Sequence, residues 1–452
     1  MNNINLLIVG GGYVGSMAAI LASKNSKINV HLIEKDNKLC GLYNNAWEKN
    51  NLFFSYGSRA ILQTGVDDID ETLNKILPDK EYSKSKENLK EFSYQNGQVL
   101  NYTNCLDARL LPKDLFLSGK LEMLAIKELK VNIDKENLLE YCNNVYGKIF
   151  TENLFKPAIK KLTGLTLEEV EQDTIYTHGI NRIIIADEEE TKLLKSKSDF
   201  NDSRIAFTKY NNNKSNMTKT LPKKVGYSDF ANRVKQYLNH SDNINLHMNE
   251  SINDVKFKDK KIVEVSTENQ TIKNIDYILW TIPSPIFAQV LDMDISVLKR
   301  PKFRNTMFFH YIFSGNLNTD AFFVYNYDNN FINYRTTLYD NFSNRNGNLM
   351  SATVEVFEDN SDLNPSLLTE KVFNELKELK ILSANSVMHS HFSHIYKSSW
   401  PAFETGFFKQ QQKLNNSILS KVSNVFIAGK TNGKLHTSAL VNEINGYFNK
   451  LK

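Results

Sequence analysis

The sequence predicts an α/β fold: a doubly wound sheet with a helical insertion and a separate antiparallel sheet. Three observations predict it. A strand, a glycine turn, a helix and a second strand fill the first 34 residues. Short apolar, strand-like runs return at 244–247, 274–283 and 424–429, far apart in the chain. Between the last two, the block 295–400 alternates in the manner of antiparallel strands.

Ile4–Val9 is an apolar run rich in strand formers, followed by Gly10-Gly11-Gly12-Tyr13-Val14-Gly15. Ser16–Ser23 reads as helix and Ile28–Ile33 as the second strand, closed by Glu34. This is a βαβ unit carrying GxGxxG. Gly10 allows the tight turn out of the strand, Gly12 lets a pyrophosphate approach the backbone, and Gly15 lets the helix pack against the sheet. A pyrophosphate at the helix N-terminus meets free N–H groups and the positive end of the dipole. Glu34, 24 residues after Gly10, is placed to accept hydrogen bonds from an adenosine ribose, and its charge would repel a 2′-phosphate. The unit by itself does not separate FAD from NAD.

Composition bounds the function. At 41 % hydrophobic and 23 % charged the chain is neither disordered nor fibrous. A net charge of +4 over 452 residues excludes a nucleic-acid-binding balance. Cys40, Cys105 and Cys142 make no CxxC pair and no disulfide framework, which fits a reducing compartment. No apolar run reaches membrane-spanning length, and Met1-Asn2-Asn3-Ile4 lacks a basic leader. The expectation is a cytoplasmic protein. No metal site is expected, since no His, Cys or Asp cluster has ligand spacing; a P-loop, a GxSxG elbow and internal repeats are also missing.

Beyond Glu34, the stretch Lys35–Tyr43 contains Cys40-Gly41-Leu42, and Phe53–Arg59 contains a second turn, Gly57-Ser58-Arg59. From here the chain resembles the FAD-dependent amine-oxidase superfamily, nearest its protoporphyrinogen-oxidase-like and UDP-galactopyranose-mutase-like branches. The resemblance implies FAD as cofactor. It continues through Gly226–Phe230 and its helix, through Ile244–His247 and Ser251-Ile252, and through Asn274–Pro283. It ends with the strand Asn424–Gly429, Lys430, and a helix from Thr437 to Tyr447. It implies that Gly10, Gly12, Tyr13, Val14, Gly15, Glu34, Lys35, Gly41, Leu42, Gly57, Ser58 and Arg59 bind FAD. Ile252 would contact adenine, and Gly429, Lys430, Ser438 and Ala439 would lie at the flavin end. Many members carry an acid where this chain has Lys430, whereas the two branches named above often carry Arg.

The expected domains are a discontinuous FAD-binding domain (1–61, 216–292 and 400–452), a mainly helical insertion (62–215) and an antiparallel substrate-binding sheet (293–399). In the insertion, Tyr141–Val170 resembles a family segment with a Pro-containing turn and a Lys-x-x-Gly end. Asp187-Glu188-Glu189-Glu190 is either a helix start or a solvated face, and Asn211–Lys214 reads as a surface loop. In the sheet, Arg335 matches an Arg-containing strand of the protoporphyrinogen-oxidase-like group. It is either a bidentate clamp for a carboxylate or phosphate, or a surface ion pair. Arg304 and Arg182 carry the same suggestion more weakly. Tyr396–Phe403 resembles the aromatic-Pro segment before the last flavin strand, and His436 is a candidate to approach the flavin ring.

The resemblance implies an FAD-dependent oxidoreductase passing hydride from a small molecule to the flavin, with no evident catalytic base. The alternative is a UDP-galactopyranose-mutase-like isomerase acting with reduced FAD on a nucleotide sugar. A flavin-binding protein without turnover is a third reading. The substrate would be a small molecule, anionic or a nucleotide sugar.

Overall fold

The computed structural model describes residues 3–127, 137–208, 217–296, 298–342, 349–360, 362–429 and 437–451. The chain divides into two compact units. The first comprises 1–86, 216–299 and 408–452; the second comprises 87–215 and 300–407.

In the first unit, the apolar runs become a five-stranded parallel sheet. Its spatial order is Ile244–Met248, Ile28–Glu34, Ile4–Val9, Tyr277–Trp280, Val425–Ile427. Leu6 stands beside both Val30 and Tyr277, and Ile278 beside Val425, every neighbour running parallel. The inner strands are covered on both faces and apolar, whereas Asn29, His31, Asn245 and His247 leave a polar, partly exposed stripe towards the Ile244–Met248 edge. Leu6, Ile8, Val30 and Leu32 pack against Met17 and Ile20 of the helix Tyr13–Ser23 and Val441 and Ile444 of the helix Thr437–Leu451. Leu7, Val9, Ile33 and Trp280 pack on the other side. There they meet Ile262, Val265 and Ile272 of a small antiparallel sheet, Ile418 of the helix Phe407–Lys421 and Val422 just after it. The first helix starts at Tyr13, three residues before the sequence pattern places it, because Gly12 serves as its N-cap.

In the second unit a seven-stranded sheet runs Val387–Ala402, Lys302–Ser314, Met350–Glu358, Asn333–Leu338, Phe323–Asn326, Glu91–Gln95, Gln98–Leu100. Its pairs are antiparallel except Phe323–Asn326 with Glu91–Gln95, which is parallel. Alternation assigns Met307, Phe309, Tyr311 and Phe313 to one face, where Val372, Phe373 and Leu376 of the helix Thr369–Glu378 cover them.

The stretch 62–215, expected to be mainly helical, opens with the helix Asp67–Ile76. Residues 82–107 then hold four short strands, and helix resumes at Lys113–Ala125. Segments such as Glu91-Phe-Ser-Tyr-Gln alternate over five residues only, too few to stand out among charged neighbours. Further on, Leu138–Tyr146 is followed by a continuous helical run whose middle, Thr151–Phe155, is π-helical. Pro157 lies in the first turn of Lys156–Thr163 and brings no N–H to the turn before it, which accounts for the widened turn. Gly164, at φ 71°, caps this helix in the left-handed region, its N–H donating to Lys160 O. The acidic run opens a helix: Asp187 accepts from Glu190 N at 2.9 Å and the three glutamates fill the first turn. Asn211–Lys214 lies outside the described residues.

Two desolvated histidines, His178 half-buried and His310 fully buried, give this unit a pH dependence. His178 packs on Trp400, ring centroids 5.4 Å apart, and burial, with Arg335 adding to it, pushes its pKa down to about 3. Burial also drives His310 well below the usual histidine range. Below pH ~6.5 the unfolded chain takes up protons that the folded chain refuses, so stability falls as pH falls, by about 1.4 kcal/mol per pH unit per histidine. For His178 the loss continues down to its folded pKa of about 3. The expected result is that His178→Phe reduces the loss of unfolding free energy between pH 6.5 and 4.5 by about 2 kcal/mol, read from urea midpoints at both pH values. An unchanged pH slope would show that the imidazole is already charged in the fold.

Candidate functional site

The glycine turn leaves the first strand at its C-terminal end. Gly10 sits at φ +99°, and a Cβ there would meet Ile282 and Thr281 side chains at 2.6 Å. At Gly15 a Cβ would stand 1.9 Å from Gly10 O, so this residue sets how closely the helix crosses the strand. At Gly12 a Cβ would meet no protein atom within 4 Å. The three glycines therefore divide into two packed positions and one that exposes backbone. The first intrahelical bond runs from Ser16 N to Gly12 O, leaving the N–H groups of the opening turn for an anion. This arrangement fits a dinucleotide pyrophosphate.

Glu34 is already held. Its Oε2 accepts from Gly11 N at 2.6 Å and its Oε1 from Asp36 N at 2.9 Å. A carboxylate offers about four lone-pair sites, so acceptor capacity remains for ribose hydroxyls. The bond from Glu250 N to Glu34 O, 3.0 Å, brings the turn before Ile252 beside this acid. Ile252 itself opens a strand paired to Thr267. His31, three residues before Glu34, shares a 2.9 Å contact with His247, and burial lowers both pKa values. Lys35 is exposed.

The other predicted cofactor residues of this unit fall into three segments. Cys40 and Gly41 follow Leu39 in a left-handed bend, φ 63° and 56°, and Cys40 N donates to Gly11 O at 2.8 Å. Leu42 is half-buried. Burial pushes the Cys40 thiol up to about 12, so it stays protonated; all three cysteines are free. Gly57 turns at φ 78° with its O accepting from Ser55 Oγ, Ser58 follows it, and Arg59 Nε donates to Tyr56 O. Gly429 is buried after the strand Val425–Ile427, and Ala439 is exposed in the first turn of the last helix. Lys430 and His436 lie outside the described residues, as does the side chain of Ser438. Tyr13 is buried with its hydroxyl directed to Leu62 O, and Val14 is half-buried against the core.

The candidate arginines belong to the second unit. Arg335 is paired: Nε and Nη2 hold Glu355 Oε1 and Oε2 at 2.6 and 2.8 Å, with Tyr325 and Tyr334 rings alongside. The pair is buried, at 12 % and 6 % side-chain exposure, not on the surface, because neighbouring strands set residues 335 and 355 opposite each other. Its bidentate capacity is thus directed at an internal carboxylate. Arg304 binds Asp359 at 2.9 Å and Lys161 O at 2.7 Å. Arg182 is exposed and 3.7 Å from Asp202.

Several supporting groups escaped sequence reasoning. Gly11 donates to Glu34, Ser16 Oγ donates to Gly11 O at 2.8 Å, and Thr281 Oγ1 donates to Val9 O at 2.8 Å. Gly11 lies within the motif and Ser16 just after it, so its spacing offered a signal for them; Thr281, 272 residues from Val9, offered none.

Comparison with known proteins agrees with this geometry. The family described as NAD(P)-binding Rossmann-like domain matches residues 8–76. No curated protein matches the chain. Among solved structures, a candidate protoporphyrinogen oxidase from Exiguobacterium sp. 255-15 is 14 % identical, with 100 % of this chain and 99 % of that one covered and a TM-score of 0.72. A reduced UDP-galactopyranose mutase is 15 % identical over 99 % of this chain and 94 % of that one, TM-score 0.74. An oxidoreductase from Methanosarcina mazei is 9 % identical over 99 % and 100 %, TM-score 0.59. At such identities the likeness is one of fold, and it runs the length of the chain. Residues 8–76 are thus similar to an NAD(P)-binding Rossmann-like domain, and the chain as a whole shares the fold of the protoporphyrinogen-oxidase and UDP-galactopyranose mutase structures.

Proposed function

We propose that this chain is an FAD-dependent oxidoreductase that moves hydride from a small-molecule substrate to the flavin. The observation that carries the reading is the unobstructed Gly12 backbone beside a pre-positioned Glu34, in a chain whose whole length shares the fold of a protoporphyrinogen-oxidase and a UDP-galactopyranose mutase structure. FAD, when bound, supplies the hydride acceptor. The chain's own residues would do the rest. The opening turn at Gly12–Gly15 would hold the pyrophosphate, Glu34 would accept from the ribose, and the Gly41–Leu42 and Gly57–Arg59 turns would orient the flavin side. Lys430, Ser438 and Ala439 are proposed at the flavin end, and a cytoplasmic location is proposed with them. Among the described residues no helix is long and apolar enough to cross a membrane.

The mutase-like alternative rests on the fold match to UDP-galactopyranose mutase. The Arg335–Glu355 pair bears on both readings, since an anionic substrate would have to compete with Glu355 for the same guanidinium.

The test is the visible spectrum of the purified protein with its released cofactor identified by mass. A two-banded flavin spectrum releasing FAD is expected. A colourless protein that takes up NAD but not FAD would overturn the reading. With FAD present, anaerobic bleaching by amines or alcohols supports the oxidoreductase. Turnover of a nucleotide sugar only after dithionite reduction, without net electron consumption, supports the isomerase.

A further inference from the structure

Three buried tyrosines of the first unit converge on one short segment. Tyr13, Tyr43 and Tyr227 are 7 %, 8 % and 6 % exposed. Their hydroxyls donate to successive stretches of the same backbone: Tyr227 to Arg59 O, Tyr43 to Ala60 O at 3.2 Å and Tyr13 to Leu62 O at 3.4 Å. The rings form one cluster, Tyr13 to Tyr43 at 4.8 Å, Tyr43 to Tyr227 at 6.0 Å, with Phe230 5.8 Å from Tyr43. The Arg59 guanidinium lies 5.8 Å from the Tyr43 ring centroid. Burial raises the Tyr13 and Tyr43 phenols, so both remain donors across the working pH range.

The origin of each tyrosine gives the convergence its meaning. Tyr13 follows Gly12 and opens the helix at the phosphate-binding turn. Tyr43 lies two residues past Gly41. Tyr227 begins the helix Tyr227–Asn239 and follows Gly226, which packs on Asn45 so closely that a Cβ there would meet its side chain at 2.2 Å. Each hydroxyl therefore ties a different segment to 59–62, immediately after the Gly57-Ser58-Arg59 turn. The receiving segment has little regular pairing of its own: its strand is only Ile61–Leu62, set against Thr220 and Lys219.

We infer that Tyr13, Tyr43 and Tyr227 are positioning residues for the dinucleotide site, their hydroxyls holding the Gly57–Arg59 turn in register with the phosphate-binding turn and the Gly41 loop. The inference rests on the flavin reading above. Phenylalanine keeps the rings and removes the three donors, so the test is Y13F/Y43F/Y227F. Three readouts are FAD Kd, backbone hydrogen exchange of residues 57–62 in the FAD-free protein, and thermal stability of the FAD-free protein. The control is Tyr311→Phe, which removes a 2.8 Å bond to Thr369 O in the second unit.

The triple variant is expected to bind FAD about tenfold more weakly and to exchange faster at 57–62, because three modest bonds to one segment are lost together. The control is expected to lose stability without loss of FAD affinity. Wild-type Kd and exchange in the triple variant would overturn the inference, and so would a control that weakens FAD equally. Should the triple variant fail to fold, Tyr43→Phe and Tyr227→Phe are measured singly, with about threefold weakening expected for each; unchanged Kd in both would overturn it. Failure of the wild type to bind FAD would instead sink the flavin reading, and the same variants measured with NAD would then decide the positioning role.

Discussion

Gly15→Ala is expected to destroy dinucleotide binding and to destabilise the first unit by about 3 kcal/mol or more, whereas Gly12→Ala is expected to destroy binding alone. The two substitutions add the same methyl group three residues apart. At Gly15 the methyl falls 1.9 Å from Gly10 O and 3.1 Å from Gly10 C, both backbone atoms of the turn itself. No rotamer change relieves that clash, so the helix must lift off the strand and uncover Met17, Ile20 and the leucines they pack on. At Gly12 the backbone is at φ −58°, open to any residue, and the methyl meets nothing within 4 Å. Stability should then stay within about 0.5 kcal/mol of wild type. The methyl would nevertheless occupy the approach to the helix N–H groups. Urea midpoints and cofactor retention on both variants check the contrast. A Gly12→Ala protein that binds its dinucleotide as wild type does would remove the phosphate role from this turn.

The second large effect is expected from the sheet of the other unit. Glu355→Leu alone leaves Arg335 buried with its carboxylate gone, at a cost of about 3–5 kcal/mol. Arg335→Met combined with Glu355→Leu removes both charges and should recover to within about 1–2 kcal/mol of wild type, since buried pairs contribute little beyond cancelling their own desolvation. The double variant also separates structure from recognition. If Arg335 takes part in binding an anionic substrate, the recovered protein will still show a raised KM. If the arginine only closes the sheet, KM will follow stability back to the wild-type value. A single variant as stable as wild type would mean that water reaches the guanidinium and that the site is open.

What the sequence disclosed and what it hid follow a physical division. Gly10–Gly15, the flanking strands and Glu34 were legible because their requirement is local: a turn, a close crossing and an acid at a strand end. The strands at 277–280 and 425–427 were legible as short apolar runs, and the edge strand at 244–248 by its alternation of Ile, Leu and Met with Asn and His. Arg335 was read either as a clamp or as half of a surface ion pair, but neither its partner nor the pair's burial was visible. Glu355 is 20 residues away, and only strand register sets them opposite. Arg204 was missed altogether. It is 2 % exposed and held by Val145 O and by Asn201 Oδ1, with Phe200 against its guanidinium. No motif announces an arginine buried among carbonyls. Tyr13 was named as a cofactor residue, but the common target it shares with Tyr43 and Tyr227 was invisible for a similar reason, since it is a stretch of main chain.

The assembly of the parallel sheet from three separated stretches constrains how the protein is made. When residues 1–86 have been synthesised, only two of the five strands exist. The neighbour of Ile4–Val9 on one side arrives with Tyr277–Trp280, and that strand in turn waits for Val425–Ile427. At about 5–20 residues per second, bare strand edges persist for some tens of seconds on the ribosome. During that interval the second unit is laid down in two instalments, 87–215 and 300–407. The part of the chain begun first is therefore the last to be finished, and a nascent chain released early would carry an unpaired apolar edge, open to aggregation.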